Sequence, residues 1–316
     1  MEKKDLRIVF FGTPEFAVES LDALIDNNFN VVGVVTMPDK AAGRGHKLYE
    51  SDVKRYAVAK GLQVMQPEKL KSPDFLEQLR ECHADLFIVI AFRMLPREVW
   101  QMPRLGTFNL HASLLPRYRG AAPINRAVMN GDTETGVTTF FLKHEIDTGE
   151  IIMQRKIDIL PEDNVGDVHD KLMHLGAGMV VDTVNAIIEG NLTTQPQPEG
   201  EFIPAPKIFK EDCRIDWNRT AEEIHNHVRG LSPYPAAWTV IEDESGKILE
   251  CKIFSSKLTE ESCKGNATGS LRVDGDRLYV ATTDCWIEIM SLQPAGKKRM
   301  DTASFLRGYH PSKISQ

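Results

Sequence analysis

The first part of the chain alternates short apolar runs with amphipathic segments. An apolar run at 7–12 ends at a glycine and is followed by apolar positions at helical spacing up to residue 28. A second apolar run covers 31–35, and a third, nearly continuous one covers 85–92. Strands and helices that alternate in this order are joined most simply by right-handed crossovers between parallel strands. We therefore expect an α/β domain with a doubly wound, mainly parallel sheet.

The stretch Thr13-Pro14-Glu15 predicts the start of the first helix. It offers a hydroxyl at the N-cap, a proline in the first turn and an acid near the positive end of the helix dipole. The same stretch argues against a dinucleotide site, because the second and third glycines of G-x-G-x-x-G are absent after Gly12. An NAD-dependent enzyme is therefore disfavoured.

The carboxyl-terminal part of the chain shows a different pattern. Residues 191–209 are rich in Thr, Gln and Pro and predict a linker. Thr220 and Glu223 have the spacing of a capping box at the start of a helix. Five short strand-like runs with polar turns follow, which predicts a small barrel. The expected domains are 1–190 and 210–316.

Composition narrows the function classes. The chain has 316 residues, of which 42% are hydrophobic and 26% charged, and its net charge is −7. These values are typical of a soluble globular protein and argue against an extensive nucleic-acid-binding surface. The apolar runs are too short for a signal peptide or a membrane span, so we expect a cytoplasmic protein. Five cysteines without a C-x-x-C pair predict neither disulfides nor a zinc site.

A row of polar side chains gives the strongest sign of chemistry. Asn109, His111 and Ser113 alternate along a predicted strand and therefore point to one face. Pro116 has no backbone donor, so the strand must end by that residue. The carboxyl ends of strands are where open α/β sheets bind ligands. A single histidine there is more often structural, but the neighbouring amide and hydroxyl favour a functional role.

Three further stretches are ambiguous from the residues alone. Asp147 lies in a turn signal before Thr-Gly, where an acid is usually only a turn residue. The loop at 38–48 carries Arg44 between two glycines and is either a solvated loop or a basic finger for a phosphate backbone. The cluster at 297–299 is either a solvated turn or a local basic contact.

Taken together, these motifs resemble those of the folate-dependent formyltransferases. The N-x-H and S-L-L-P blocks at 109–116 and D-T-G at 147–149 carry the resemblance to the superfamily. Further blocks resemble the members that act on methionyl initiator tRNA: F-G-T-P-E-F at 11–16, P-D-K-A-A-G-R-G at 38–45, P-R-Y-R-G-A-A-P-I at 116–124 and L-Q-P-A-G-K-K at 292–298. The resemblance covers nearly the whole chain.

The resemblance implies a fold, a reaction and its partners. The fold is a Rossmann-like catalytic domain followed by an OB-like barrel that contacts tRNA. The reaction transfers the formyl group of 10-formyltetrahydrofolate to the amino group of methionyl initiator tRNA, giving N-formylmethionyl-tRNA for translation initiation. The enzyme is expected to act in the cytoplasm as a monomer without a metal ion.

The resemblance also assigns Asn109, His111 and Asp147 as the catalytic residues, and their chemistry suits the reaction. An amide can hold the formyl oxygen, and an imidazole can donate to the oxyanion and relay a proton. A carboxylate can favour the protonated imidazole and accept the proton of the amine through water. Ser113 has no base at a suitable spacing, so we expect it to position the segment rather than act as a nucleophile.

Two binding sets follow from the same resemblance. The pterin is expected between the ends of two strands, largely on backbone groups of Phe92, Met94, Leu95, Ser113, Leu114, Leu115 and Pro116. The tRNA is expected to contact Lys40, Arg44, Lys47, Lys297, Lys298 and Arg299. The chain departs from the common pattern at Ala91-Phe92-Arg93, where many members have A-Y-G, and at Ala112. If the pterin is recognised through backbone groups, both changes should be tolerated; the bulk of Arg93 bears only on the local shape of the pocket.

Two classes of alternative remain open: another formyltransferase, for a sugar amine or a purine precursor, and a non-catalytic protein. A formyltransferase for a sugar amine keeps a barrel-like tail but does not need the basic loop, whereas one for a purine precursor lacks the carboxyl-terminal barrel. A non-catalytic RNA-binding protein belongs to another class, and the presence of Asn109, His111 and Asp147 argues against it.

Overall fold

A computed structural model of the protein describes residues 2–42, 47–200 and 202–315. The helices are α1 (Glu15–Asp26), α2 (Asp52–Ala59), α3 (Pro73–Glu81), α4 (Arg97–Trp100), α5 (Pro123–Met129), α6 (Val165–Glu189), α7 (Ala221–Leu231) and α8 (Thr302–Leu306), with a 3-10 turn at Glu211–Cys213. No helix in these ranges has the length and apolar character needed to cross a bilayer.

The strands fall into two groups along the chain. The first group is β1 (Arg7–Gly12), β2 (Asn30–Val35), β3 (Lys40–Ala42), β4 (Lys47–Tyr49), β5 (Val64–Met65), β6 (Leu86–Ile90), β7 (Thr107–His111), β8 (Arg117–Gly120), β9 (Glu134–Phe141), β10 (Ile151–Asp158) and β11 (Ile203–Ala205). The second group is β12 (Ala237–Asp243), β13 (Ile248–Ser262), β14 (Leu271–Asp274), β15 (Arg277–Ala281), β16 (Cys285–Pro294), β17 (Met300–Asp301) and β18 (Pro311–Ile314).

The described chain forms two compact units. The first contains the chain up to Gly120 together with Thr135–Ile157 and His169–Pro204. The second contains Ala121–Glu134, Asp158–Val168 and the chain from Ala205 onward. Two segments of the predicted first domain, 121–134 and 158–168, therefore pack with the second unit.

The sheet of the first unit has the strand order β10-β9-β7-β6-β1-β2-β5. The five neighbouring strands β7, β6, β1, β2 and β5 run parallel, whereas β9 runs antiparallel to β7. The apolar runs of the sequence fill the centre of this sheet, since every residue of β6 is buried. The prediction of a mainly parallel sheet is confirmed.

Helices cover both faces of this sheet. Val89 of β6 belongs to an apolar cluster that includes Phe75 and Leu79 of α3. Leu110 of β7 points to the opposite face and lies against α6, where a Cβ added at Gly176 would be 2.7 Å from a Leu110 methyl carbon. The sheet is therefore doubly wound, as expected.

Two local predictions in this unit are wrong. The N-cap of α1 is Pro14 rather than Thr13, because the proline already has the extended conformation of a cap residue, with φ −83° and ψ 174°. The Thr13 hydroxyl has no hydrogen-bond partner among the described residues. The predicted loop at 38–48 contains a hairpin, since Lys40 pairs with Tyr49 and Ala42 with Lys47. Arg44 lies outside the described residues.

The second unit contains the predicted barrel. Its antiparallel strands have the order β14-β15-β16-β13-β12-β18, and β17 pairs with β16. A bridge between Ser270 and Lys313 joins the two ends, so the barrel is nearly closed. Helix α7 contributes Ile224 and Val228 to its core. The Thr220–Glu223 capping box is confirmed at the start of α7.

Two histidines on α7 are predicted to make the unfolding free energy depend on pH. Nδ1 of His225 lies 3.0 Å from the Ser256 hydroxyl, and Nε2 of His227 lies 3.4 Å from the Cys213 carbonyl. Burial lowers the pKa of both histidines below the ordinary value of 6.5, with a smaller contribution from nearby arginines.

Because the unfolded chain then binds these protons more readily, the unfolding free energy should fall as the pH drops below about 6.5. The slope should approach about 1.4 kcal/mol per pH unit for each histidine that stays neutral in the folded state. Urea unfolding between pH 8 and pH 5 measures it. A His225→Gln/His227→Gln variant should show a shallower dependence than a control with the exposed His310→Gln. Equal slopes in the two variants would contradict this assignment.

Candidate active site

Strand β7 carries two of the predicted catalytic side chains at its carboxyl end. Asn109 and His111 lie two residues apart on this strand and therefore share a face. The neighbouring parallel strand β6 ends at the same edge, since Ile90 is paired with Leu110. This is the edge at which open α/β sheets bind ligands.

The ring of His111 is buried and held from one side. Its Nε2 lies 2.8 Å from the carbonyl oxygen of Tyr118, in β8. A carbonyl only accepts hydrogen bonds, so Nε2 carries the proton and donates it. The Nδ1 atom faces Oδ2 of Asp147 at 3.8 Å. Nδ1 is therefore the ring atom at which a proton can be exchanged next to the carboxylate.

Asp147 lies in the turn between β9 and β10, as its turn signal predicts. Its backbone has φ +54°, in the left-handed region. Its Oδ2 accepts a hydrogen bond from the backbone N–H of Gly120 at 2.9 Å. The side chain is 14% exposed, so the carboxylate reaches His111 in a largely water-excluded place. The 3.8 Å separation is too long for a direct hydrogen bond and suits an ion pair or a shared water.

The amide of Asn109 is available to a ligand. The residue is half-buried, and its side chain makes no hydrogen bond within the described part of the chain. An amide N–H₂ in this position can donate to a carbonyl oxygen or to an oxyanion. The structure thus places an amide, an imidazole and a carboxylate around one edge of the sheet.

The segment after β7 is fixed by Ser113, as the sequence predicts, and by two side chains that the sequence did not single out, Thr138 and Gln154. Ser113 is fully buried, and its hydroxyl donates to the Arg117 carbonyl at 2.6 Å, which fits a positioning role. Thr138 donates to the Ser113 carbonyl and accepts from the Leu115 N–H, at 2.6 and 3.2 Å. Gln154 donates to the Leu115 carbonyl at 2.9 Å. Only the pairing of the strands that carry Thr138 and Gln154 reveals these contacts.

The residues predicted to bind folate differ in their exposure. After β6, Met94 is 68% exposed, whereas Leu95 is buried. Phe92 is half-buried, with its ring centroid 5.7 Å from that of Phe11. After β7, Leu114 is half-buried, and the other predicted residues are buried: Ser113, Leu115 and Pro116.

Arg93 does not project freely at this position. One of its guanidinium nitrogens donates to the Glu68 carbonyl at 2.9 Å, and another donates to the Pro67 carbonyl. Burial lowers the pKa of this guanidinium, which is consistent with its position against the protein. The side chain of Arg93 therefore lies against the segment before α3, at Pro67 and Glu68.

The residues predicted to contact tRNA lie in two places along the chain. Lys40 is exposed at the start of β3, Lys47 begins β4, and Arg44 is outside the described residues. Lys297, Lys298 and Arg299 are exposed between β16 and β17. The Arg299 guanidinium lies 4.5 Å from the ring centroid of Phe254 and its Nε donates to the Ser291 hydroxyl at 2.9 Å, so both contacts orient it.

The cysteine thiols are poorly suited to act as nucleophiles, and a metal site is not formed by the described residues. Burial raises the pKa of Cys82, Cys213 and Cys285, and it raises the pKa of Cys251 to about 12. Thiols with a raised pKa are weak nucleophiles at neutral pH. Within the described ranges, no group of three or more His, Cys, Asp or Glu is placed to hold a metal ion.

The chain is similar to known formyltransferases along nearly its whole length. Residues 6–184 match the family model described as formyl transferase, and residues 207–310 match that of the formyl transferase C-terminal domain. The chain is 58% identical over 315 residues to the methionyl-tRNA formyltransferase of Bacteroides fragilis, covering 98% of this chain and 97% of the relative. It is 59% identical over 319 residues to that of Phocaeicola vulgatus, covering 99% of this chain and 98% of the relative.

Solved structures share the fold at low identity. The N-formyltransferase from Helicobacter canadensis, in complex with folinic acid and dTDP-3-aminofucose, has a TM-score of 0.66 and 21% identity over 92% of this chain and 99% of its own. HypX from Aquifex aeolicus, in complex with tetrahydrofolic acid, has a TM-score of 0.64 and 18% identity over 98% of this chain and 51% of its own. With both halves of the sequence matched and relatives aligned along nearly its whole length, the chain belongs to the formyltransferase family.

Proposed function

We propose that this chain transfers the formyl group of 10-formyltetrahydrofolate to the amino group of methionyl initiator tRNA. The observation that carries the proposal is the approach of His111 to Asp147 beside Asn109 at the end of β7. The near full-length similarity to methionyl-tRNA formyltransferases supports the choice of acceptor. The similarity to sugar N-formyltransferases concerns the fold alone.

The proposed reaction begins when the neutral amine attacks the formyl carbon and a new C–N bond forms. The formyl oxygen becomes an oxyanion, which the Asn109 amide and a protonated His111 stabilise by donating hydrogen bonds. The attacking nitrogen loses its proton to Asp147, directly or through water. The bond from the formyl carbon to N10 of the folate then breaks as that nitrogen receives a proton from His111. Proton return from Asp147 to His111 restores the starting state.

The binding roles form part of the same proposal. The segments after β6 and β7 leave one edge of the sheet, so they can hold the folate between Phe92–Leu95 and Ser113–Pro116. We assign transfer to residues 1–190, a connection to 191–209 and tRNA contact to 210–316. The basic residues at 40, 44 and 47 and at 297–299 contact tRNA in this proposal. The protein is proposed to act as a monomer in the cytoplasm.

The decisive experiment offers three acceptors to the same enzyme preparation. Formyl transfer from 10-formyltetrahydrofolate is measured with methionyl initiator tRNA, with a nucleotide-linked amino sugar and with an amine precursor of purines. We expect efficient formylation of the charged tRNA alone. A kcat/KM for the amino sugar equal to or above that for tRNA would favour the sugar enzyme. Binding of tRNA without transfer to any acceptor would favour a non-catalytic RNA-binding protein.

The replacement Arg44→Ala tests the basic loop. Loss of one phosphate contact should lower kcat/KM for the charged tRNA by about 10-fold and make its salt dependence shallower by about one phosphate. The KM for the folate donor should stay the same. Steady-state rates at several salt concentrations measure both effects, with the exposed Arg80→Ala in α3, which belongs to neither proposed binding set, as a control for general loss of charge. If both variants keep the wild-type kcat/KM for tRNA, Arg44 has no such role.

A further inference from the structure

Gln197, within the predicted linker, makes an unusual set of contacts with the candidate active site. Its Nε2 donates to the backbone carbonyl of Asp147 at 2.8 Å and to that of Gly149 at 2.9 Å. One side-chain amide therefore holds both ends of the Asp147-Thr148-Gly149 turn. No local pattern in the sequence predicts this contact, since the two segments are about 50 residues apart.

The other end of the same amide is fixed by Arg119. Its Nε and Nη2 donate to Oε1 of Gln197 at 3.0 and 2.6 Å. A guanidinium only donates, so the oxygen of the amide must face Arg119 and the nitrogen must face the turn. The next residue, Gly120, donates its backbone N–H to the Asp147 carboxylate. Arg119 thus contacts the backbone of Asp147 through Gln197, and Gly120 contacts its side chain directly.

Neighbouring residues hold the segment of Gln197 along the turn. The Thr194 hydroxyl donates to the Glu150 carboxylate at 2.6 Å. Gln195 and Ile151 exchange two backbone hydrogen bonds, of 2.8 and 2.9 Å. The side chain of Gln197 therefore approaches Asp147 from a segment that is itself anchored to the start of β10.

These contacts matter because Asp147 adopts a backbone conformation that a non-glycine residue rarely takes. Its φ of +54° lies in the left-handed region, which aspartate tolerates better than most residues but at some cost, so contacts that hold the turn favour this conformation. A small rotation of this turn would change the 3.8 Å separation between the carboxylate and Nδ1 of His111. We propose that Gln197 is a positioning residue that holds Asp147 in register with His111. The inference rests on the catalytic role proposed above for Asp147.

The test replaces Gln197 by Met, which keeps the length of the side chain and removes all four hydrogen bonds. We expect kcat to fall by about 10- to 100-fold, as is typical when a catalytic group is misplaced by about 1 Å. The KM values for folate donor and tRNA should stay within about twofold, since Gln197 contacts neither in the proposed mechanism. The matched control is Gln195→Met, because Gln195 is exposed and pairs through its backbone alone.

A second variant keeps the test decisive if the methionine disturbs folding. Gln197→Glu retains the acceptor for Arg119 but has no N–H to donate to the two carbonyls. Because it keeps the contact with Arg119, its thermal midpoint should lie closer to that of the control than the midpoint of Gln197→Met does, whereas its kcat should fall as in Gln197→Met. A Gln197→Glu enzyme with wild-type kcat would overturn the inference, and so would a Gln197→Met enzyme that changes KM alone.

A double-mutant cycle shows whether Arg119 acts through Gln197. Arg119→Met should lower kcat less than Gln197→Met, and the double variant should equal Gln197→Met, because the two residues form one chain of contacts. If the losses of kcat in the two single variants added up in the double variant, Arg119 would not act through Gln197. Asp147→Asn is assayed in the same series. If that variant keeps its kcat, the proposed role of Asp147 fails; if it is slow while Gln197→Met and Gln197→Glu are not, only the positioning role fails.

Discussion

His111→Ala is expected to lower kcat by about 10³-fold, and Asp147→Asn by about 10²- to 10³-fold, with both proteins still folded. General acid–base groups and oxyanion donors each contribute effects of this size. Alanine at 111 removes the donor to the oxyanion and the proton relay together. Asparagine at 147 keeps the shape of the side chain but can no longer accept the proton of the amine. The KM for folate should change little in either variant.

Folding and chemistry must be separated in this test. His111→Ala removes the hydrogen bond from Nε2 to the Tyr118 carbonyl and the buried ring itself, which should cost about 1–3 kcal/mol of unfolding free energy. Urea unfolding and the binding of a folate analogue show whether each variant is folded. A matched control is His174→Ala, since Nδ1 of this exposed histidine pairs with the Glu19 carboxylate on the surface. Surface pairs contribute little to stability, so that variant should stay folded, and it should keep the wild-type kcat because His174 is not a residue of the candidate active site.

The assay is single-turnover formylation of charged tRNA at saturating folate donor, which reports the transfer step itself. A His111→Ala or Asp147→Asn enzyme that transfers at a rate near that of wild type would remove the residue from the mechanism. If the control lost activity as well, the losses would have to be ascribed to the fold of the first unit.

Much of the fold can be predicted from the sequence because its signals are local. The apolar run at 85–92 and the helical spacing after residue 12 depend only on neighbouring positions, and both are found in the sheet and in α1. The placement of Asn109 and His111 on one face follows from the alternation of a strand. The capping box at 220–223 is likewise a pattern of four residues.

The remainder depends on contacts between distant residues, which a local pattern cannot show. The Asn125 amide donates to the Gly230 carbonyl at 2.8 Å, within the second unit. This contact is one of those that join the segment 121–134 to α7 in the second unit. Thr138 and Gln154 fix the S-L-L-P segment only because their strands lie beside it. In a stretch rich in Thr, Gln and Pro, Gln197 gives no signal that distinguishes it from a linker residue.

The D-T-G block requires a glycine at position 149, and replacing this glycine should lower the unfolding free energy strongly. Gly149 lies so close to the end of β9 that an added Cβ would be 1.5 Å from the backbone oxygen of Phe141. The neighbouring Phe141 N–H also donates to the Glu150 carbonyl at 3.1 Å, which ties the two segments together. Gly149→Ala cannot be accommodated by rotating a side chain, because the clash is with backbone. We expect the unfolding free energy to fall by about 3 kcal/mol or more.

The same substitution should also slow transfer, because separating the turn from β9 would move the Gly149 carbonyl away from Gln197 and release Asp147. Gly178→Ala is the matched control. This exposed glycine lies inside α6, and the nearest atom to an added Cβ is 3.9 Å away. Alanine there should raise the unfolding free energy by about 0.5–1 kcal/mol, since it favours the helix. Opposite shifts of the urea midpoint in the two variants, with kcat lowered only in Gly149→Ala, would show that this glycine joins the fold to the site; equal midpoints would contradict the close approach.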